Sequence, residues 1–320
     1  MNCILALFLC LAENSLFNAL IKMSFIAFFA KEFYYIDVMN TKRLFLVAGY
    51  DAGGNINSAL IHQVRELANY GDIILYMDCD TPETELSKIK PYCIYAGGAR
   101  HGEYDFGSYK RAYEYARDND ILRKYDYIYL VNDSVFGPLF DMSNIMQKID
   151  SVPADAAGMV VSTHKTHSYM ESWFIRLNKK IFTSNWFNEF ISGVTKQPTK
   201  NRVTVKYEHG LSDLIHQHGL SWGGVYTRHG RYTYNKPKQL FKDGCPFVKK
   251  SCFTRHNGSL GGEIKYIIQH ADNNAANNII TAANLIYGHD YIQRFLTYNP
   301  TKILGRRLDY ALTKIKNRKK

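Results

Sequence analysis

Cysteine is scarce in this chain and unorganised. The 320 residues contain six cysteines, scattered, with no Cys-x-x-Cys pair. That spacing fits a reduced, cytosolic setting better than a disulfide scaffold. Long apolar runs are missing too. Ile4–Ala12 and Leu16–Phe29, the latter broken by Asn18 and Lys22, both fall short of the about 20 apolar residues a spanning helix needs. The start lacks a basic segment and a small-residue cleavage site, which argues against a signal peptide. Residues 1–38 then read as a mis-assigned translation start or as an apolar, membrane-contacting appendage, with Met39 as a natural start. Acidic residues are outnumbered, 29 against 40 Lys and Arg, giving a net charge of +11 and a pI near 9.2. An excess of that size attracts something anionic: nucleic acid, an acidic membrane surface or phosphorylated substrates. No basic motif with interleaved stacking aromatics occurs, so nucleic acid is set aside.

What is present is a repeating rhythm from Leu44 onward. Leu44–Tyr50 is an apolar run ending at Asp51. It is followed by Gly53-Gly54 and by a helical face of Ile56, Leu60, Val64 and Leu67. Ile73–Met77 is a second strand ending at Asp78, residues 79–91 form a loop or irregular helix, and Cys93–Ala96 is a third strand. Gly107-Ser108 then opens a helix with Asp105 just before it. Tyr127–Val131 is a continuous apolar run of the kind a strand buried on both faces requires. It ends in Asn132-Asp133-Ser134, and Asp141 caps the helix beyond. Alternation of this kind predicts an α/β fold with a mostly parallel sheet and helices on both faces. Capping could explain any two of Asp51, Asp78, Asp105 and Asp133. All four at one sheet edge instead suggest a polar cleft for ribose hydroxyls or for a divalent cation bridging phosphates.

Beyond Pro153 the predicted elements are a strand over Ala157–Ser162, a strand over Tyr169–Leu177 and a helix over Asn178–Val194. His164 and His167, three apart, suit loop chemistry or substrate hydrogen bonding better than zinc, since no third ligand lies near. Glu208 is expected at the mouth of a short helix burying Leu211, Leu214 and Ile215, closed by Gly219. There it either complements the helix dipole or serves as a general base. Residues 221–262 read as loop-rich, with Arg228 among aromatic and basic neighbours. Helices follow at Gly262–Ala271 and Asn278–Ile286. Leu304, Leu308, Leu312 and Ile315 recur at helical spacing in a basic tail, which reads as a membrane-surface contact or as a terminal helix packed on the domain.

Three segments together resemble the rhamnan synthesis F family of bacterial polysaccharide glycosyltransferases. They are Glu103-Tyr-Asp-Phe-Gly-Ser-Tyr-Lys110, Tyr127-Ile-Tyr-Leu-Val-Asn-Asp-Ser-Val-Phe-Gly-Pro-Leu139 and Lys206-Tyr-Glu-His-Gly-Leu-Ser212, with Pro246-Phe-Val-Lys249 behind them. The resemblance covers roughly residues 43–250. It implies a GT-A-like, Rossmann-type nucleotide-binding sheet, with a donor half over about 39–150, an acceptor half over about 151–250 and a helical extension over 251–320. The activity implied is inverting transfer of a sugar, rhamnose or another hexose, from a nucleotide-sugar to a growing surface polysaccharide or lipopolysaccharide. The acceptor would be lipid-linked or polysaccharide, at the inner face of the cytoplasmic membrane. By the same resemblance Glu208 is the base and Asp133 stands at the metal or diphosphate, with Asn132 beside it. Asp51 and Asp78 meet base and ribose, Asp105 lines the nucleotide side, and His167 or Arg228 touches acceptor or diphosphate. Related transferases place Asp-x-Asp where this chain has Asn132-Asp133-Ser134. A Mg²⁺ or Mn²⁺ cofactor is therefore left open. The competing expectation is a membrane-surface binding protein that keeps the fold without turnover.

Overall fold

The computed structural model describes residues 41–318, so the expectations for residues 1–38 lie outside the described residues. Lys42 onward forms one compact unit. Its centre is an eight-stranded sheet built from β1 (Arg43–Gly49), β2 (Asp72–Met77), β3 (Tyr95–Gly98), β4 (Tyr127–Asn132), β6 (Ala156–Thr163), β7 (Ser168–Met170), β8 (Phe174–Asn178) and β9 (Trp222–His229). A two-stranded ribbon pairs β5 (Val135–Phe136) with β10 (Val248–Lys249). The sheet order is β3-β2-β1-β4-β8-β6-β7, with β9 on the other side of β6. Strands β3, β2, β1 and β4 are mutually parallel, as are β6 and β9, while β8 runs antiparallel between β4 and β6. This is the α/β, mostly parallel, Rossmann-like architecture that the apolar runs predict.

Those runs are continuous because both faces of the sheet are covered. All seven residues of β1 are buried. Phe45 and Val47 face one core with Leu60 and Val64 of α1 (Ser58–Leu67) and Ile145 and Ile149 of α3 (Ser143–Asp150). Leu44 and Leu46 face the other, with Phe106, Ala112 and Tyr113 of α2 (Tyr104–Asp118) and Ile191 of α4 (Asn185–Ser192). A third apolar cluster joins Phe136 and Val248 of the ribbon to Ile264 of α6 (Gly261–His270), Ile279 of α7 (Asn273–Tyr287) and Phe295. The last helix, α8 (Pro300–Arg318), leaves Leu304, Leu308 and Leu312 more than half exposed; the side chain of Ile315 is outside the described residues.

Several local expectations are corrected. The third strand lies at Tyr95–Gly98, since Cys93 and Ile94 are taken up by the end of a preceding turn. Helix α2 begins at Tyr104, three residues before Gly107, so Asp105 sits in its first turn. Met142 precedes α3, and Asp141 caps from one step earlier by accepting the Ser143 N–H at 3.0 Å. Tyr169–Leu177 is two strands with a break at Glu171-Ser172-Trp173, because β7 and β8 pair with different parts of β6. Asn178–Val194 is two short helices, Lys179–Phe182 and α4, with Ser184 capping the second. The supposed loop-rich region 221–262 contains β9, one of the sheet's own strands.

Glu208 is the correction that bears most on function. It does not stand at a helix mouth. Residues 200–217 form one helical run whose first turn is capped by Thr199, and Thr204–His209 is a π-helical turn within it, leading into α5 (Gly210–Gln217). A π turn holds an extra residue and re-aims the side chains around it, and such turns gather at functional sites. Complementing a helix dipole is therefore not the reason for a glutamate here. Leu211 and Ile215 are buried as expected, while Leu214 is only half-buried. Gly219, at φ +71°, ends the run.

Candidate active site

Parallel strands with α-helical crossovers leave a crevice outside their carboxyl ends where the strand order reverses. In the order β3-β2-β1-β4 that point lies between β1 and β4. A cleft of about 1050 Å³ opens there. Asp51, Asp78, Asp105, Asn132 and Asp133 all line it, so the structure brings together the five donor-side residues expected from sequence.

Two of these carboxylates are spent on ordering loops. Asp51 Oδ1 accepts from the N–H groups of Gly53 at 2.8 Å and Asn55 at 3.0 Å. Asp78 Oδ1 accepts from His101 N–H at 2.9 Å and Gly102 N–H at 2.8 Å, pinning the loop between β3 and α2. That loop needs left-handed backbone at Gly102 (φ +69°) and at Tyr104 (φ +59°). Glycine reaches such a φ freely, whereas a side-chain-bearing residue is held there at a cost of about 1–2 kcal/mol. Tyr104 forms part of the cleft wall, so the strain is placed at the site.

Asp105 and Glu208 behave differently. Asn132 Nδ2 donates to Asp105 Oδ2 at 2.9 Å, and Ser172 Oγ donates to the same oxygen at 3.4 Å. The backbone N–H of Ser172 donates to Glu208 Oε1 at 3.0 Å. Ser172 thus links the cleft wall to Glu208, which stands behind it rather than in its lining. Burial raises the Asp105 carboxyl above its ordinary range, against the pull of Lys200 and Lys249. Burial likewise lifts the Glu208 carboxyl to about 7. The Ser172 N–H opposes that rise, nearby Asp105 adds to it, Lys249 opposes it and Glu171 adds again. A carboxyl group in that range can take up a proton near neutral pH.

Sequence reasoning missed four participants in this network. Glu171, 3% exposed, accepts from Ser162 Oγ, Thr233 Oγ1 and Trp173 Nε1, each at 2.8 Å. Ser172 follows it in the strand break. Lys249, 6% exposed, donates to Ser134 Oγ at 2.9 Å and lies over the Trp173 ring at 5.3 Å. Burial lowers its ammonium's proton affinity, while Glu171 and Glu208 sustain it. Lys250 donates to Asp133 Oδ2 at 2.9 Å. The signals were a glutamate inside an apolar stretch and a Lys-Lys pair directly after buried Phe247-Val248. The cleft also recruits Arg100, Lys196 and Lys200. Its four acids are therefore matched by four cations, counting Lys250.

The two remaining candidates lie elsewhere. His167 is exposed on the β6–β7 hairpin, with its ring 4.8 Å from that of His164 and 4.8 Å from that of His209, the neighbour of Glu208. Arg228 on β9 pairs with Asp243 at 2.7 Å and lies over Tyr226 and Tyr232, away from the cleft lining.

The strand end offers a divalent cation little protein coordination of its own. Asp133 is a single carboxylate already paired with an ammonium, and among the described residues no three His, Cys, Asp or Glu side chains converge to hold a metal. Asn132 Oδ1 is taken by Ser134, whose Oγ donates to it at 2.5 Å.

An α/β fold thus carries, at its switch point, a cleft lined by four carboxylates and four basic side chains, with a carboxyl group raised to about 7 behind its wall. The family model for rhamnan synthesis protein F matches residues 99–308, and the chain belongs to that family. The matched span runs from the cleft loop into the last helix, further than the motifs alone reach. Membership implies a part in rhamnan polysaccharide synthesis and a glycosyltransferase-type role. A search of curated proteins finds no match. No helix among the described residues is long and apolar enough to cross a membrane.

Proposed function

We propose that the chain transfers a sugar, rhamnose or another hexose, from a nucleotide-sugar to an acceptor hydroxyl on a growing surface polysaccharide or lipopolysaccharide, with inversion. The observation that carries this reading is Glu208, near-neutral in proton affinity and joined through Ser172 to the wall of a nucleotide-sized cleft. Asp51 and Asp78 shape and flank the base and ribose end, Asp105 and Asn132 the nucleotide side, and Asp133 the diphosphate end.

Glu208 accepts the proton of the acceptor hydroxyl as that oxygen attacks the anomeric carbon. The bond from that carbon to the diphosphate oxygen breaks, and its electron pair leaves with the diphosphate. Developing negative charge there is met by the lining cations. In this reading His167, whose ring is 4.8 Å from that of His209, is assigned to the acceptor side. Thermal-shift titration with dTDP-, UDP- and GDP-sugars tests the donor: a true donor raises Tm with concentration as RT ln(1 + [L]/Kd). No shift with any of them would remove the donor reading.

One feature favours a membrane-surface partner. Leu304, Leu308 and Leu312 are exposed at 56–57% along a helix that also carries exposed Lys302 and Arg307. Such a helix suits an anionic lipid surface bearing a lipid-linked acceptor, peripheral at the inner membrane face. It is equally what a non-catalytic surface-binding protein would use, so vesicle binding is read alongside turnover. If L304S/L308S leaves sedimentation with anionic vesicles unchanged, this attachment is wrong.

A further inference from the structure

The strand end where a metal-bridged diphosphate would sit presents an ammonium instead. Lys250 Nζ lies 2.9 Å from Asp133 Oδ2, with the two side chains only 15% and 16% exposed. Its main chain is held from both sides: Lys250 N–H donates to Ser134 O at 2.9 Å, and Tyr287 Oη donates to Lys250 O at 2.8 Å. The ammonium therefore has little choice but to stay at the carboxyl end of β4. A magnesium ion takes near-octahedral oxygen ligands at short range, usually one or two carboxylates with waters and substrate phosphates, so the charge already standing at the site bears on it most. Here it would find one carboxylate oxygen, a hydroxyl committed to Asn132, and repulsion from both Lys249 and Lys250.

We propose that Lys250, steered by Asp133, holds the donor's diphosphate in place of a divalent cation, with Lys200, Lys196 and Arg100 closing the same cleft around it. An ammonium carries three donors, so one can stay on Asp133 while two turn to phosphate oxygens. Lys200 already acts across the cleft, since its charge opposes the rise in Asp105's proton affinity. When the sugar–oxygen bond breaks, the electron pair it releases falls on the oxygen nearest Lys250, where a fixed charge needs no reorganisation. The inference rests on the reading of the cleft as a nucleotide-sugar site.

The test is calorimetric titration of the full chain with dTDP, UDP and GDP, in EDTA and then in Mg²⁺ or Mn²⁺, for wild type, K250Q and K250R. The expected result is that at least one nucleotide binds wild type with the same affinity, within twofold, in EDTA and in either metal. K250Q should weaken that binding tenfold or more without rescue by metal, and K250R should lose less. Binding that vanishes in EDTA and returns with Mn²⁺ would overturn the lysine assignment and leave the nucleotide-sugar reading intact. Unchanged affinity in K250Q would overturn it as well. If no nucleotide binds under any condition, the cleft reading falls and this inference with it. Should K250Q fail to fold by thermal melt, the wild-type EDTA and metal arms still decide the question.

Discussion

Asp51 and Asp78 end their strands and accept main-chain N–H groups from neighbouring loops, whereas Asp105 and Glu208 are sunk among other polar side chains behind the same edge. The residue types are alike and the fates opposite. At the edge a carboxylate gathers backbone donors and fixes the shape of a loop. In the interior, burial raises its proton affinity, and for Glu208 it does so to about 7. Two carboxylates thus fix the shape of the cleft edge and two stand with raised proton affinity, and substitutions should separate the pairs.

The largest effect is expected from E208Q. Transfer should fall by about 10²–10⁴ with nucleotide binding within about twofold, read by turnover and by calorimetry. Loss of binding in step with turnover would merge the two classes. Next is D78A, which leaves the N–H groups of His101 and Gly102 without their acceptor. It should cost about 1–3 kcal/mol in stability and weaken nucleotide binding, while D78N, which keeps an oxygen there, should be mild. If D78A spares both Tm and binding, the loop-ordering role is wrong.

The pH behaviour sharpens the contrast further. The rate should rise through about pH 7 as Glu208 loses its proton. Its effect on stability runs the other way. Between its ordinary 4.5 and about 7 the folded chain keeps a proton that the unfolded chain has released, so the Glu208 contribution to stability declines as pH rises across that window. E208Q should therefore melt about 2–5 °C higher than wild type at pH 8 and level with it at pH 4. Equal melting at both pH values would mean that Glu208 is not raised. The smallest effect belongs to R228A. Its pair with Asp243 is partly exposed, so the loss should stay within about 1 kcal/mol and transfer should not change. A marked drop in turnover would return Arg228 to the site.

Much of the parallel half of the sheet was readable because strands buried on both faces must be apolar throughout, and β1, β2 and β4 are each followed within two residues by an acid. Leu44–Tyr50 and Tyr127–Val131 announce β1 and β4 this way, and the four aspartates follow at one edge. The break at Glu171–Trp173 was hidden because Tyr169–Leu177 is apolar enough to pass for one strand. What divides it is the pairing of β7 and β8 with different stretches of β6, a long-range fact. The π turn at Thr204–His209 changes no side-chain pattern that periodicity would notice, yet it decides where Glu208 points. Lys249 and Lys250 carried a weak local signal, two lysines after a buried Phe-Val. Their partners Ser134 and Asp133 lie more than a hundred residues earlier, beyond any local pattern.

The ribbon of β5 and β10 has a consequence for the order in which the cleft acquires its charge. Asp51, Asp78, Asp105 and Asp133 leave the ribosome first, whereas the Lys250 that answers Asp133 follows 117 residues later. Until that antiparallel pair closes, a nascent chain holds Asp133 without the ammonium that pairs with it. Closing so long a loop carries an entropic cost that grows only slowly with its length. The final balance of charge at the end of β4 therefore depends on a contact between distant parts of the chain, and it is set only when the ribbon has joined.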